Sequence, residues 1–225
     1  MTRKTNARVA GFTFLLYIVL GVASMVVVGR AASGKGIAAK LATMAQHASD
    51  VHVAVILTLL TSFCALVLGV TLYALTRDQD ADLAMLALTC RVGEGVIGGL
   101  SVNRSLGLLW LATVTGDNAP DAAAAHAIGA FFQMGQTWSP TISATFFAVG
   151  STLFSWLLLR GRMIPAPLAW LGVIASALLV VGLPLQIAGV LSGPNLMIVW
   201  YLMLAFEVPL ALWLMIKGAA MPARP

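Results

Sequence analysis

Six long apolar stretches, separated by polar loops, constrain the fold of this chain more than any other feature of its sequence. Each has roughly the 17–25 residues that an α-helix needs to cross the hydrocarbon core of a bilayer. In lipid, only helices and closed barrels satisfy their own backbone polar groups, so apolar runs of this length predict helices. The sequence therefore predicts an all-α fold: a polytopic bundle of six transmembrane helices within a single integral-membrane domain, residues 1–225. The predicted spans are residues 9–29, 53–75, 83–103, 139–159, 167–190 and 196–216.

The composition also indicates that the surroundings of the chain are lipid. Of its 225 residues, 60% are hydrophobic and only 9% are charged, and the mean hydropathy is +0.96. A soluble domain typically carries about 25% charged residues. The net charge of +5 does not indicate nucleic-acid binding, because Lys and Arg lie at the ends of apolar runs and not in one patch. The expected partner is the lipid bilayer; the oligomeric state is left open.

Residues 121–138 are compatible with two interpretations. Joined to the fourth span they form a helical run of 39 residues, which is about 58 Å long at 1.5 Å per residue. That is nearly twice the thickness of the hydrocarbon core. We interpret residues 121–138 as a helical extension of the fourth span, kinked near Pro140. A separate interfacial helix is the alternative.

The distribution of Lys and Arg predicts the orientation. The first apolar run is longer than a signal-peptide core, so we expect it to remain as a span. With the N-terminus in the cytoplasm, eight positive residues lie on the inner side, and their excess predicts that both termini are cytoplasmic. They are Arg3, Lys4, Arg8, Arg77, Arg160, Arg162, Lys217 and Arg224. The outer side then has Arg30, Lys35 and Lys40, with Arg104 near its boundary.

Three ionisable residues lie deep inside the predicted spans. Glu94 and Glu207 are each 11 residues from a span end, or about 17 Å along a helix, near the middle of the bilayer. Arg91 lies one turn from Glu94. A charge at this depth costs at least roughly 2.5–3.5 kcal/mol. We therefore expect the three side chains to meet, with Arg91 bridging the two carboxylates.

Two functional hypotheses follow from the one excess negative charge of this trio. In the first, a proton, a cation or a polar ligand completes the site, and the protein binds or transports a small polar or lipid-like ligand near the bilayer midplane, with Arg91 holding an anionic group. In the second, the trio is a closed network that only fixes helix packing in a structural or assembly subunit. Polar residues that map to the outer third, including glutamines, are consistent with a funnel that leads inward. The candidate ligand-binding residues are Arg91, Glu94, Glu207, Gln133, Gln136 and Gln186.

Signals for an enzyme or a cofactor are weak. His47, Asp50 and His52 lie close together in sequence, and His126 could join them. Their spacing matches neither HExxH nor a cysteine-containing zinc pattern, so solvated loop residues are the favoured interpretation and no metal is expected. We find no nucleophile elbow, phosphate loop or dinucleotide fingerprint, and we expect no cofactor. An intramembrane enzyme is therefore the third hypothesis.

Several segments carry a resemblance to a known family. They are "ARVAGFTFLLYIVLG" (7–21), "LYALTRDQDADLAMLALTCRVGEGVI" (72–97), "GSTLFSWLLLRGRMIPAPLAWLGVIASAL" (150–178) and "FEVPLALWLMIKG" (206–218). The chain resembles the bacterial multi-pass membrane proteins grouped as domain of unknown function 4386. Arg91 and Glu94 match the family's third span, and Glu207, with the Trp-Leu and Lys-Gly that follow it, matches the last. The resemblance implies an integral protein of a bacterial cytoplasmic membrane and supplies no activity.

Overall fold

The computed structural model describes residues 2–221, apart from the side chains of Asn118, Gln136 and Thr137. Within these residues the regular structure is entirely helical, which confirms the predicted all-α fold. A short 3₁₀ turn at Gly116–Asn118 follows the fifth helix. The α-helices are α1 (Arg3–Ala31), α2 (Ile37–Gln46), α3 (Ala48–Thr76), α4 (Ala81–Leu100), α5 (Val102–Thr113), α6 (Ala122–Arg160), α7 (Ala166–Ile187) and α8 (Gly193–Ile216).

Six helical segments are long and apolar enough to cross a bilayer, which confirms the predicted number of transmembrane helices. They are α1, α3, α4 continued by α5, α6, α7 and α8. Large apolar side chains cover their outward faces: Val19, Val181 and Ile198 are each more than 60% exposed. Exposure on this scale would be unfavourable in water, and it is expected where the surrounding solvent is lipid. The chain is an integral membrane protein.

The six long helices form a closed ring. Each packs against the next long helix in the chain, and α8 packs back against α1. Among the described residues, no close backbone contact joins α1 to α6 or α4 to α8 across the ring. Side chains from the surrounding helices therefore meet in a shared interior.

Glycines allow the closest approaches between neighbouring helices. A Cβ atom on Gly95 of α4 would lie 2.9 Å from the backbone oxygen of Ser62 on α3. A Cβ atom on Gly11 of α1 would overlap the backbone oxygen of Ala211 on α8. Small residues at such contacts let membrane helices pack without a hydrophobic driving force between them.

The two ends of the ring are closed in different ways. At the end where α1 begins and α8 ends, which we call the terminal end, the Arg3 Nε–H group donates to the Ala220 carbonyl oxygen (3.1 Å). At the opposite end, α2 and α5 pack together and against α6, and we call this end the cap end. A small apolar cluster fills it, built from Ala31, Ile37, Met44, Val51, Leu108 and Leu109.

The hydropathy pattern did not predict α2 or α5. Both are shorter than a membrane span, and only one face of each is buried, so neither stands out in a search for spanning runs. The third predicted span also divides at Ser101, which ends α4 and precedes α5. Residues 122–160 form one continuous helix that passes through Pro140. Its first turns lie against α2 and α5 at the cap end.

Candidate functional site

A buried ion pair lies on the inward face of α4. The Asp80 side chain caps this helix by accepting a hydrogen bond from the Leu83 N–H group (3.1 Å). Arg91 and Glu94 follow one turn apart, so their side chains share a face. Arg91 is 1% exposed and Glu94 is 4% exposed, and Arg91 Nη1 lies 2.8 Å from Glu94 Oε2. The charged groups are thus removed from solvent together.

Two aromatic rings hold the guanidinium group of Arg91. Its Cζ atom lies 5.6 Å from the ring centre of Tyr17 on α1 and 5.1 Å from that of Phe147 on α6. Despite the short distance to Glu94, none of the guanidinium nitrogens has an acceptor in hydrogen-bond geometry within the described part of the chain. The charge is therefore stabilised by the nearby carboxylate and by the faces of the rings.

Glu94 is held by three helices at once. The Tyr17 hydroxyl group of α1 donates to Glu94 Oε1 (2.7 Å). The Ser143 hydroxyl group of α6 donates to the backbone carbonyl oxygen of Glu94 (3.0 Å). Arg91 of α4 and Tyr17 of α1 thus hold the Glu94 carboxylate, while Ser143 of α6 anchors the backbone that carries it.

Glu207 reaches the same interior from α8. Its side chain is 5% exposed and lies within electrostatic range of both Arg91 and Glu94. Its Oε1 atom is buried without a hydrogen-bond partner among the described residues. Among the described residues Arg91 forms its ion pair with Glu94 and not with Glu207, so the predicted bridge between the two carboxylates is not formed. The three side chains nevertheless share the interior of the ring, with one formal positive and two formal negative charges.

A cavity of about 330 Å³ extends from this charged group toward the cap end. On α1, α3, α4 and α6, the lining residues nearest the terminal end are Tyr17, Ala65, Glu94 and Phe147, respectively. Trp200 of α8 completes the wall. Glu94 is the one charged residue in the wall, as far as the structure describes it. Eight lining residues carry a hydroxyl group: Tyr17, Ser24, Thr58, Thr61, Ser62, Ser101, Ser139 and Ser143.

The candidate ligand-binding residues do not all reach this cavity. Glu94 lines it directly, whereas Arg91 and Glu207 are buried behind the wall and are not among its lining residues. Gln133 and Gln186 are partly exposed and lie away from it. The side chain of Gln136 is outside the described residues. The structure instead adds Tyr17, Phe147 and the hydroxyl groups of α3, which the sequence did not single out.

The candidate metal ligands remain dispersed. His47 Nδ1 lies 3.5 Å from Asp50 Oδ2, and both side chains are 49% exposed. His52 and His126 are exposed. No group of three or more His, Cys, Asp or Glu side chains placed to hold a metal ion occurs in the described part of the chain.

A ring of membrane helices around a buried Arg–Glu pair and a hydroxyl-lined cavity defines a multi-pass integral membrane protein with a polar interior. The family profile described as "Domain of unknown function (DUF4386)" matches residues 9–218. The chain belongs to this family. Neither the curated proteins nor the solved structures contain a match to the chain.

Proposed function

We propose that this protein binds a small ligand inside the membrane, in the cavity that ends at Glu94. The observation that carries the proposal is the cavity itself. It holds about 330 Å³ and is open on one side, so water, lipid or a ligand fills it. Its volume is in the range of ligand pockets, and its hydroxyl groups suit water or a polar ligand.

The three charged residues have separate roles in this proposal. Glu94 presents a carboxylate to the ligand. Arg91 and Tyr17 hold that carboxylate in place and offset part of its charge. Glu207 places a second carboxyl group behind the wall, within electrostatic range of Arg91 and Glu94. Arg91 acts through Glu94, because its guanidinium group does not line the cavity.

A structural role for the charged network is the second candidate, and one observation favours it. Arg91 contacts side chains of α1, α4 and α6 and lies within electrostatic range of Glu207 on α8. It thereby links four of the six helices of the ring. A buried network of this kind fixes helix register whether or not a ligand binds.

We also propose that the protein lies in a bacterial cytoplasmic membrane with both termini in the cytoplasm. Arg77, Arg160 and Arg162 lie at the terminal end, with Arg3 and Lys217. This excess of positive residues supports a cytoplasmic location for that end. Fusing a fluorescent protein that folds only in the cytoplasm after Pro225 tests the orientation: fluorescent cells support it, and dark cells with full-length fusion contradict it.

Cysteine accessibility tests the cavity. In a protein carrying Cys64→Ala and Cys90→Ala, Ser62→Cys places a thiol in the cavity wall. Ser176→Cys on α7 is the matched control, because Ser176 makes the same kind of hydrogen bond to the preceding helical turn but is fully buried. Iodoacetamide, a small neutral reagent, should modify the first thiol at least about tenfold faster. Equal, slow modification of both thiols would show that no polar solute reaches the cavity.

A further inference from the structure

The hydroxyl groups of the cavity wall have few hydrogens to offer a ligand. Thr58, Thr61 and Ser62 donate to carbonyl oxygens one turn back in α3, at 2.8–3.0 Å. The hydroxyl groups of Ser101 and Ser143 likewise donate to backbone oxygens of α4. A hydroxyl group has one hydrogen and two lone pairs, so each of these residues presents only acceptors to the cavity.

The remaining polar groups of the wall continue this pattern. The Tyr17 hydroxyl group donates to Glu94. Ser24 bonds with the Thr58 hydroxyl group (3.0 Å) and with the Ala54 carbonyl oxygen (3.4 Å). Seven of the eight lining hydroxyl groups that the structure describes therefore have their hydrogen in use, Ser139 being the exception. The wall is mainly apolar, and its polar part presents mostly oxygen lone pairs.

The charges of the site also favour a ligand that donates hydrogen bonds. Glu94 is the one charged residue among the described lining residues. The Glu207 carboxyl group lies behind the wall, within electrostatic range of Glu94. Arg91 offsets one of these two carboxylates and is itself excluded from the wall. An anion would meet lone pairs and a carboxylate, with no cation among the described lining residues to pair with, and would lose its hydration without compensation.

Aromatic side chains supply an apolar surface beside these acceptors. Phe147 and Trp200 line the cavity as a stacked pair, with ring centres 6.0 Å apart. Because Arg91 already lies over the Phe147 ring, the pair offers the ligand an apolar surface for packing rather than a second cation site. The volume of about 330 Å³ is far larger than a bare metal ion needs, and suits an organic molecule.

From these observations we propose that the cavity takes a small protonated amine, whose N–H groups donate to Glu94 and the surrounding hydroxyl oxygens while its apolar body rests on Phe147 and Trp200. This inference rests on the proposed ligand-binding function and specifies its ligand class. A primary ammonium group offers three donors, which matches an acceptor-rich wall better than a quaternary ammonium does. The same group occurs in free amines and in the ethanolamine headgroup of phospholipids.

Three probes of similar shape test the charge preference. Purified protein in phosphatidylcholine nanodiscs is titrated with 2-phenylethylamine, 2-phenylethanol and 3-phenylpropionate, and binding is followed by calorimetry. The amine should bind at least about tenfold more tightly than the alcohol, since a hydrogen bond to a charged group is worth more than a neutral one. The carboxylate should not bind measurably. Equal binding of the amine and the alcohol, or tighter binding of the carboxylate, would overturn the inference.

Two variants locate the binding site. Glu94→Gln removes the charge and should weaken amine binding at least about tenfold, whereas Asp82→Asn, an exposed position on the same helix, should leave it unchanged. Thr61→Val removes one wall acceptor without touching the ion pair, and keeps the test decisive if Glu94→Gln fails to fold. Thr89→Val is its control, because Thr89 makes the same hydrogen bond one turn back but faces outward. Unchanged amine affinity in Thr61→Val and in a folded Glu94→Gln would contradict the assignment.

The source of the amine is distinguished by the lipid. Replacing half of the phosphatidylcholine with phosphatidylethanolamine should weaken binding of 2-phenylethylamine if the headgroup enters the cavity, and should leave it unchanged if only free amines enter. Either result is compatible with the ammonium preference. If none of the three probes binds while iodoacetamide still reaches Ser62→Cys, the amine inference is wrong and the cavity proposal stands. If the thiol is also unreactive, both fail.

Discussion

The hydrogen bond from Tyr17 to Glu94 offers the sharpest test of the site. Tyr17→Phe removes only the hydroxyl group that donates to Glu94 Oε1 at 2.7 Å and leaves the ring beside Arg91. A hydrogen bond to a charged group contributes about 1.5–3 kcal/mol in soluble proteins. Interhelical hydrogen bonds in membranes average only about 0.6 kcal/mol, with a maximum of about 1.7 kcal/mol. Because this bond is short, buried and charge-assisted, we expect a loss of about 1–2 kcal/mol.

A double-mutant cycle in detergent measures this quantity. The free energy of unfolding is determined for the native chain, Tyr17→Phe, Glu94→Leu and the double variant. Leucine cannot accept the hydrogen bond, so the coupling energy isolates the pair. Tyr201→Phe is the control, since Tyr201 lies on the exposed face of α8, and should change stability by less than about 0.5 kcal/mol. Tyr17→Leu, which also removes the ring beside Arg91, should cost about 0.5–2 kcal/mol more than Tyr17→Phe. A coupling energy within error of zero would refute the description of Glu94 as a carboxylate fixed by α1.

Three further variants test the interior of the ring by the same unfolding measurement. Arg91→Leu leaves two buried carboxylates without a counter-charge and should lower the free energy of unfolding by about 3–5 kcal/mol. Adding Glu94→Leu and Glu207→Leu should restore much of this loss. No recovery in the triple variant would mean that the charges act independently. Glu207→Gln should cost less than Glu94→Gln, because Glu207 Oε1 has no hydrogen-bond partner among the described residues while Glu94 has Arg91 and Tyr17; the reverse order would contradict the arrangement. Gly95→Ala should cost about 1–3 kcal/mol because its Cβ atom would lie 2.9 Å from the Ser62 backbone oxygen, whereas Gly29→Ala, whose Cβ atom has no neighbour within 4 Å, should be neutral or stabilising.

The charged residues could be identified from the sequence because lipid makes them conspicuous. Arg91 and Glu94 stand out in an apolar run, and their spacing places them on one helical face. The depth of Glu207 could be counted from a span end. Each of these steps uses only the period and rise of a helix and the thickness of a bilayer.

The rest of the site was hidden because its residues resemble ordinary core residues. Tyr17 and Phe147 are aromatic residues within apolar runs, and nothing local indicates that their rings enclose a guanidinium group. The cavity wall depends on how five helices are placed around the ring. One local signal was available: Thr58, Thr61 and Ser62 recur at three and four residues along α3, which puts three hydroxyl groups on one face.

Two glutamines of the predicted funnel stood out in the sequence but do not line the cavity. Gln133 and Gln186 were selected for their depth, and depth alone does not determine which way a side chain faces. Both are partly exposed. Gln186 lies next to the last residue of α7, and Gln133 lies in the part of α6 that precedes Pro140. The short helices α2 and α5 were missed for a related reason. A search for spanning runs detects segments long enough to cross the lipid, and it does not detect short helices that pack on one another between the spans.

The order of helices around the ring has a consequence for biosynthesis. Since each long helix packs against the next one in the chain, the helices can be added around the ring in the order of their synthesis, and α8 is inserted after the other five. By then Arg91 and Glu94 already compensate one another within α4, and Tyr17 has long been in place. Glu207 is thus the one deep carboxylate that enters the bilayer after its cationic partner. A chain that ends before Gly193 should therefore still integrate its first five spans, and its failure to do so would show that closure of the ring is required from the start.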